Sequence, residues 1–494
     1  MLEIMDIEDS IDKKSRLEQG IFFTKHHIVK MIESNFDFTN IETVIDSAAG
    51  SCNFLIDLAI RFPQKKFYGV EKNPIIYKAV LKEIKNIPNI YYFNGDILLD
   101  RFPIPKCDLY LGNPPFINFS DLCENYRNDI KPLWLNYFPN SKGFKMLLGE
   151  SRGDIAQLIF AHSVELYLKE GGEMGVILPN SLIKGNSASA GFREFNNIKV
   201  NKLVDISKSN PFDNTERNCF FILGEKGLNT QYPIKYFTQD REVNLIKSGS
   251  DLVEDGRAIL KKSEYTARQG VNTLGANSIF IFKSQPPFKS DLIKPLLKSS
   301  DITGFNCTPS YFILYPYKNG KPIAEEDLKK NYSNEYNYLF KNKETLSNRK
   351  SRFVNKCWYG LFGVGEYTEK EYKVVWRGLG AKELLVSVTY NVIPNQAMNC
   401  YISTDSEDEA FFISGIMNSK IYKDQLLNLN ESGAKSFAQP ATINKIYIPK
   451  YNKSNEIHLN ISGISKSLHK KIVYEKMNKL NQLSEILYRD EGFI

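Results

Sequence analysis

The sequence is poor in the side chains that build metal centres and disulfide frameworks. Five histidines and seven cysteines are spread over 494 residues. The cysteines stand at 52, 107, 123, 219, 307, 357 and 400, with no Cys-x-x-Cys pair and no histidine cluster beside them, so neither a disulfide scaffold nor a structural zinc site is expected. Long apolar runs are missing too. No window approaches an uninterrupted apolar stretch of about 18 residues, the length of a membrane-spanning helix. Near the start, Glu3, Asp6, Glu8 and Asp9 stand where a signal or transit peptide needs basic residues and an apolar core. The sequence therefore reads as cytoplasmic, without a membrane segment. Tandem repeats and low-complexity tracts are absent as well.

Charge of one sign is not abundant, but it is unevenly distributed. Residues 228–494 hold 37 Lys/Arg against 28 Asp/Glu, an excess of nine. With +7 for the whole chain, residues 1–227 are left at −2. A polyanion would be gripped mainly by the C-terminal half, although an excess of this size over so long a stretch also serves plain solubility.

A chain of 494 residues exceeds the size at which one core keeps growing, so two domains are expected. Stretches 44–47, 67–71, 90–94, 109–112, 173–178, 202–205 and 219–223 read as strands, separated by helical periodicity at 54–61, 74–85 and 155–168. This alternation predicts a mostly parallel sheet covered by helices. Beyond Gly224 the pattern turns to short irregular strands rich in Asn, Ser and Tyr, placing a boundary near 226–232. Apolar residues at 468, 472, 477, 480, 483 and 487 predict one amphipathic helix over 464–488.

The most informative segment is an apolar strand running into Asn113-Pro114-Pro115-Phe116. Two prolines end the strand, fix the backbone and remove its donors, leaving carbonyl acceptors beside the Asn side chain. Such a corner suits a planar amine. The Asn113 oxygen and the Pro114 carbonyl can each accept one hydrogen of an NH2 group, which localises the nitrogen lone pair, while Phe116 stacks on the ring that bears it. An ordinary strand-ending turn is the alternative reading of this tetrapeptide. A second segment, Asp46-Ser47-Ala48-Ala49-Gly50-Ser51-Cys52-Asn53, joins a strand to a helix through small residues, where an α/β sheet brings a cofactor against backbone. Glu71 ends the next strand, 25 positions on, where an acid can bind both hydroxyls of a ribose. Asp96 ends the third, where it can meet an adenine edge.

This order of motifs resembles the gamma-class, TaqI-type N6-adenine DNA methyltransferases of restriction-modification systems. The likeness begins at Gly20-Ile-Phe-Phe-Thr24 and continues through the segments above, Gly153-Asp-Ile-Ala-Gln-Leu-Ile-Phe160 and Glu170-Gly-Gly-Glu-Met-Gly-Val-Ile-Leu-Pro179-Asn180-Ser181. It covers nearly all of residues 18–224. The resemblance implies S-adenosylmethionine as cofactor, with Thr24 and Asp46 at its methionine end, Glu71 at its ribose and Asp96 at its adenine. Ala48, Gly50, Ile97 and Asn113 complete the implied cofactor contacts. It also implies a catalytic corner of Asn113, Pro114, Pro115 and Phe116, with Phe212 covering the second face of a flipped adenine. Three positions depart from the family pattern: Lys25 and Ser47 stand for prolines, and Cys52 for a loop glycine, putting a Cβ where backbone approaches the cofactor.

The expected fold class is α/β: a Rossmann-like methyltransferase domain with a mostly parallel seven-stranded sheet over 1–227, an α+β target-recognition domain over 228–455, and a helical tail over 456–494. Cues in the second domain are Arg268-Gln-Gly270, Asn277 to Phe280, Tyr311 to Lys321, Trp358-Tyr359-Gly360, Asn395-Gln-Ala397 and 413–420, basic and polar groups interleaved with aromatics. None singles out a base-reading residue. The implied enzyme is a monomer of the prokaryotic cytoplasm, associated with the nucleoid. It acts on double-stranded DNA, with a restriction endonuclease as a separate partner, since Glu371-Tyr-Lys373 is only an isolated nuclease-like match. RNA adenine and protein glutamine amides are alternative substrates for the same corner, and a DNA-specificity subunit without catalysis is the reading that Ser47 and Cys52 favour.

Overall fold

The computed structural model describes residues 23–493 apart from 140–152, 185–190, 213–216 and short interruptions at 240, 249–250, 256–260, 262, 284–287, 350–353, 355, 379–380, 397–398 and 431–436. The acidic N-terminus, residues 20–22 of the upstream motif and part of the 210–220 loop lie outside the described residues. The chain divides into two compact units, Met1–Asp255 and Gly256–Ile494.

The first unit is built on β1 (Thr43–Asp46), β2 (Lys66–Glu71), β3 (Ile90–Asn94), β4 (Cys107–Gly112), β5 (Leu168–Pro179), β6 (Ile198–Asp205), β7 (Cys219–Lys226), β8 (Ile234–Phe237), β9 (Glu242–Ser248) and β10 (Asp251–Glu254). Their order across the sheet is 10-9-8-6-7-5-4-1-2-3. β5, β4, β1, β2 and β3 run parallel, and β7 is inserted antiparallel between β5 and β6. Val44, Ile45, Leu109, Tyr110 and Leu111 are fully buried, as the near-continuous apolar runs of a sheet covered on both faces require. Among the flanking helices are α1 (His26–Glu33), α2 (Ile56–Arg61), α3 (Pro74–Ile84), α4 (Glu124–Tyr137) and α5 (Ile155–Tyr167). α3 starts where Asn73 accepts the N–H groups of Ile75 and Ile76 ahead of Pro74, and α5 where Asp154 accepts that of Ala156.

The expected seven strands are ten, and the expected boundary at 227/228 moves to 255/256. β8 adds in parallel to β6, pairing Lys202 with Lys235 and Val204 with Phe237, and β9 and β10 follow antiparallel. Arg193, 1% exposed, holds β10 by an ion pair with Asp251 at 2.9 Å and donates through Nε to the Leu182 carbonyl. The stretch 228–255 therefore extends the sheet of the first unit.

The second unit carries an antiparallel sheet of Arg268–Gln269, Asn399–Thr404, Tyr372–Arg377 and Val386–Tyr390, and a smaller sheet of Ile281–Phe282, Tyr311–Leu314, Ile293–Leu297 and Ile393–Pro394. The helix expected over 464–488 is two, Glu456–Lys470 and Tyr474–Asp490, parted by extended backbone at Lys471 and the β-branched Val473. The first packs on Glu407–Asn418, with the Ser462 hydroxyl on the Asp408 carbonyl and the His458 ring stacked 4.5 Å from that of Phe412. The 456–494 segment is thus part of the second unit's packing. Among the described residues no helix is long and apolar enough to cross a membrane.

Truncating Arg193 removes its ion pair from the buried Asp251. Arg193→Leu should cost about 3–5 kcal/mol in urea unfolding, and Arg193→Leu/Asp251→Leu should recover most of it. Equal losses in both variants would mean that the pair is not what secures β10.

Candidate cofactor and amine-methylation site

The strand order reverses between β1 and β4, which opens a crevice at their carboxyl ends. A cavity of about 780 Å³ occupies it, and its walls include Ala48, Gly50, Glu71, Asp96, Ile97, Asn113 and Pro115, all singled out from the sequence. Thr24, Asp46, Pro114, Phe116 and Phe212 are not on that wall.

Two buried acids shape the cavity floor. Glu71 accepts the Gly50 N–H at 2.9 Å through one oxygen and the Asn73 N–H at 2.6 Å through the other, and burial raises its pKa despite those bonds. Gly50 sits at φ +50°, where a side chain is strained, and its carbonyl accepts the Tyr92 hydroxyl at 2.8 Å. Asp46 is 2% exposed and accepts the Ala48 N–H at 3.1 Å. Burial, with the Glu71 carboxylate adding to it, pushes the Asp46 pKa up to about 7. Asp46 thus acts on the cavity through the loop that it orders.

Asp96 accepts the Leu98 N–H at 2.9 Å and pairs with Lys72 at 2.8 Å. The Lys72 ammonium also lies 3.6 Å from the centre of the Tyr126 ring. Sequence reasoning missed Phe23, Lys72, Ile117 and Tyr126, all on the cavity wall. For Lys72 the signal was its place directly after Glu71. Tyr126, on α4, gave none.

The Asn113–Phe116 corner follows β4 directly. Phe116 and Phe212, expected to face each other across a base, are both buried, the latter fully, and meet edge to face with centroids 6.0 Å apart. In this state they pack on one another. Phe212 also bridges to Thr24, and the Lys25 N–H donates to the Pro211 carbonyl at 3.1 Å. A proline at position 25 could not make that bond, so this departure from the family pattern ties the 24–25 segment to the Phe212 loop. The other two departures are also accommodated. The Ser47 hydroxyl bonds the Tyr110 hydroxyl at 2.7 Å. Cys52, at φ +61°, is wholly buried in the core and off the cavity wall.

Three parallel strands descending on one side of β4, and the parallel β5 followed by the antiparallel β7 on the other, make the doubly wound plan of S-adenosylmethionine-dependent methyltransferases. The residues fit that cofactor: a cavity of suitable volume for a nucleoside-sized ligand, loop backbone brought to its wall at Gly50, and acids at the ends of β2 and β3. Comparison with known proteins narrows the class. Residues 10–209 match the family described as N-6 DNA methylase. The type II methyltransferase M.NspV of Nostoc sp. is 24% identical over 83% of this chain and 92% of its own length. The modification methylase CviBIII of Paramecium bursaria Chlorella virus NC1A is 21% identical over 57% and 68%. A solved structure, that of the type IIL restriction-modification enzyme MmeI in complex with DNA, aligns with a TM-score of 0.68 at 15% identity, covering all of this chain and 79% of its own. The chain is an S-adenosylmethionine-dependent N6-adenine DNA methyltransferase, with its N-6 DNA methylase domain over the matched residues.

The raised pKa of Asp46 has a signed consequence. Between about pH 4 and 7 the folded chain holds a proton that the unfolded chain has released, so this group's contribution to stability falls as pH rises through that window. Without cofactor, Asp46→Asn should melt with wild type near pH 4 and above it at pH 8. Parallel melting profiles at all pH values would show that Asp46 is not buried as a proton carrier.

Proposed function

We propose that this enzyme is the modification methyltransferase of a restriction-modification system, of the gamma class, methylating N6 of one adenine within a short duplex sequence. The observation that carries the reading is the juxtaposition of Asn113 and Pro115 with Glu71, Asp96 and Gly50 around one cavity. An amine-binding corner and a nucleoside-binding floor then share a wall, as direct transfer between them requires.

S-adenosylmethionine, when bound, supplies an electrophilic methyl group on sulfur. Glu71 is placed for the ribose hydroxyls, and Asp96 with the Ile97 backbone for the adenine edge. Thr24 and the Asp46-ordered loop from Ala48 to Gly50 secure the methionine end. Asn113 and the Pro114 carbonyl each accept one hydrogen of the target amine, and the lone pair, withdrawn from the ring, points at the acceptor carbon. Pro115 holds the corner rigid. Phe116 stacks on a base rotated out of the duplex, and Phe212 covers the other face once the two rings part. Catalysis comes from positioning and from a localised lone pair rather than from a general base.

The second unit is the target-recognition domain in this reading. Recounted at the observed boundary, residues 256–494 hold 34 Lys/Arg against 23 Asp/Glu, an excess suited to phosphate contacts. The enzyme works as a cytoplasmic monomer beside a separate cognate endonuclease.

Asn113→Ala should abolish methyl transfer while calorimetric cofactor affinity stays within severalfold. Collapse of both would make Asn113 a structural residue. Phe116→Ala and Phe212→Ala should each weaken capture of the flipped base by about 1–3 kcal/mol. With 2-aminopurine at the target position, each variant should show brighter bound-state fluorescence than wild type. Unchanged emission and rate in Phe212→Ala would leave that residue in the core.

A further inference from the structure

Three glutamines from distant parts of the second unit meet at its surface in a hydrogen-bonded row. The Gln269 side-chain nitrogen donates to the Gln439 Oε1 at 2.9 Å, and its oxygen accepts from the Gln396 Nε2 at 3.0 Å. Gln269 is exposed and the other two are half-buried. The backbone beneath them is fixed. The Val271 N–H donates to the Pro394 carbonyl at 2.7 Å, and the Gln396 N–H to the Val271 carbonyl at 2.9 Å. Gly270 permits this approach, since a Cβ there would lie 2.4 Å from the Asn395 carbonyl carbon. Beside Gln269, the exposed Arg268 holds its guanidinium 3.9 Å from the centre of the Tyr367 ring.

Stability does not explain the row. Hydrogen bonds between exposed side chains add little, because water replaces them almost as well, while pinning three glutamines costs rotamer freedom. The row's effect is to hold amide groups at fixed orientation on the surface. After its two bonds, Gln269 retains one N–H and one carbonyl lone pair. That donor and acceptor, side by side, complement N7 and the N6 amine on the major-groove edge of adenine.

We propose that Gln269, braced by Gln396 and Gln439, is a specificity residue that reads an adenine of the recognition sequence from the major groove, with Arg268 placed for the neighbouring phosphate backbone. The proposal rests on the reading of the second unit as the target-recognition domain. Bracing is the essential part. A lone glutamine turns freely and accepts several base edges, whereas one whose amide plane is held by two neighbours offers its donor and acceptor in a single order, and the wrong base meets an unpaired group.

The test uses the full-length chain, S-adenosylmethionine and plasmid DNA of mixed sequence, with modified adenines mapped by sequencing. Wild type should modify one short motif. Gln269→Ala should modify the same adenine but accept other bases at one A·T position, discrimination there falling roughly tenfold to a hundredfold. Gln396→Ala, which removes only the brace, should relax the same position to a smaller degree. An unchanged motif with a uniformly lower rate, or loss of methylation in both variants with cofactor still bound, would make the row a scaffold and overturn the proposal. Relaxation at a G·C position would overturn the assignment to adenine. Failure of the wild-type chain to modify any duplex would instead overturn the reading on which the proposal rests.

Discussion

The carboxylate of Glu71 spans the N–H of Gly50, in the loop after β1, and the N–H of Asn73, at the head of α3. A buried acid is costly unless its oxygens are hydrogen-bonded, and these two bonds are what allow an acid to sit at the end of β2. In return they fix the neighbouring loop. Gly50 is drawn into left-handed backbone and its carbonyl meets Tyr92 on β3, so three adjacent parallel strands are stitched at their carboxyl ends through one residue. The cavity follows from that stitch, since Ala48 and Gly50 lie on its wall only while the loop keeps this shape.

The chemistry asked of the protein is modest in acid-base terms and strict in geometry. An adenine amine is a poor nucleophile because its lone pair is delocalised, and in the proposed mechanism a corner made from one amide oxygen and one proline carbonyl corrects that without a titrating group. Burial raises the pKa of Asp46 and Glu71, at the loop after β1 and the end of β2, and also that of Asp154, which is bonded to the Ile117 backbone just past the corner. Lys72, on the cavity wall, is paired with Asp96 and rests on Tyr126, so that stretch of the wall carries a compensated charge.

The methylase half was legible because its signals are local. Runs such as Leu109 to Leu111 are buried on both faces, and the Asn-Pro-Pro-Phe corner follows one of them directly. What escaped depends on contacts distant in sequence. β8 looked like part of a new domain because its alternation, with Ile234 and Tyr236 inward and Lys235 outward, belongs to a half-exposed strand, and the Arg193–Asp251 pair that anchors β10 spans 58 residues. Cys52 was read as an obstruction on the assumption that its Cβ points at the cofactor. The backbone at φ +61° puts it in the core instead. Phe116 and Phe212 were expected to flank a base, and nothing in the sequence marked them as partners of each other. In the second unit the glutamine row brings together positions 269, 396 and 439, which no periodicity connects.

The central claim is that this fold places a cofactor floor and an amine corner together in order to methylate adenine in duplex DNA at a defined sequence. Sequencing with base-modification detection, on DNA from cells expressing the chain, tests it most directly. The account expects N6-methyladenine at one position of a single short motif, modified throughout the genome. Methylated cytosine, or DNA that remains unmodified while RNA or protein glutamine acquires the methyl group, would contradict it.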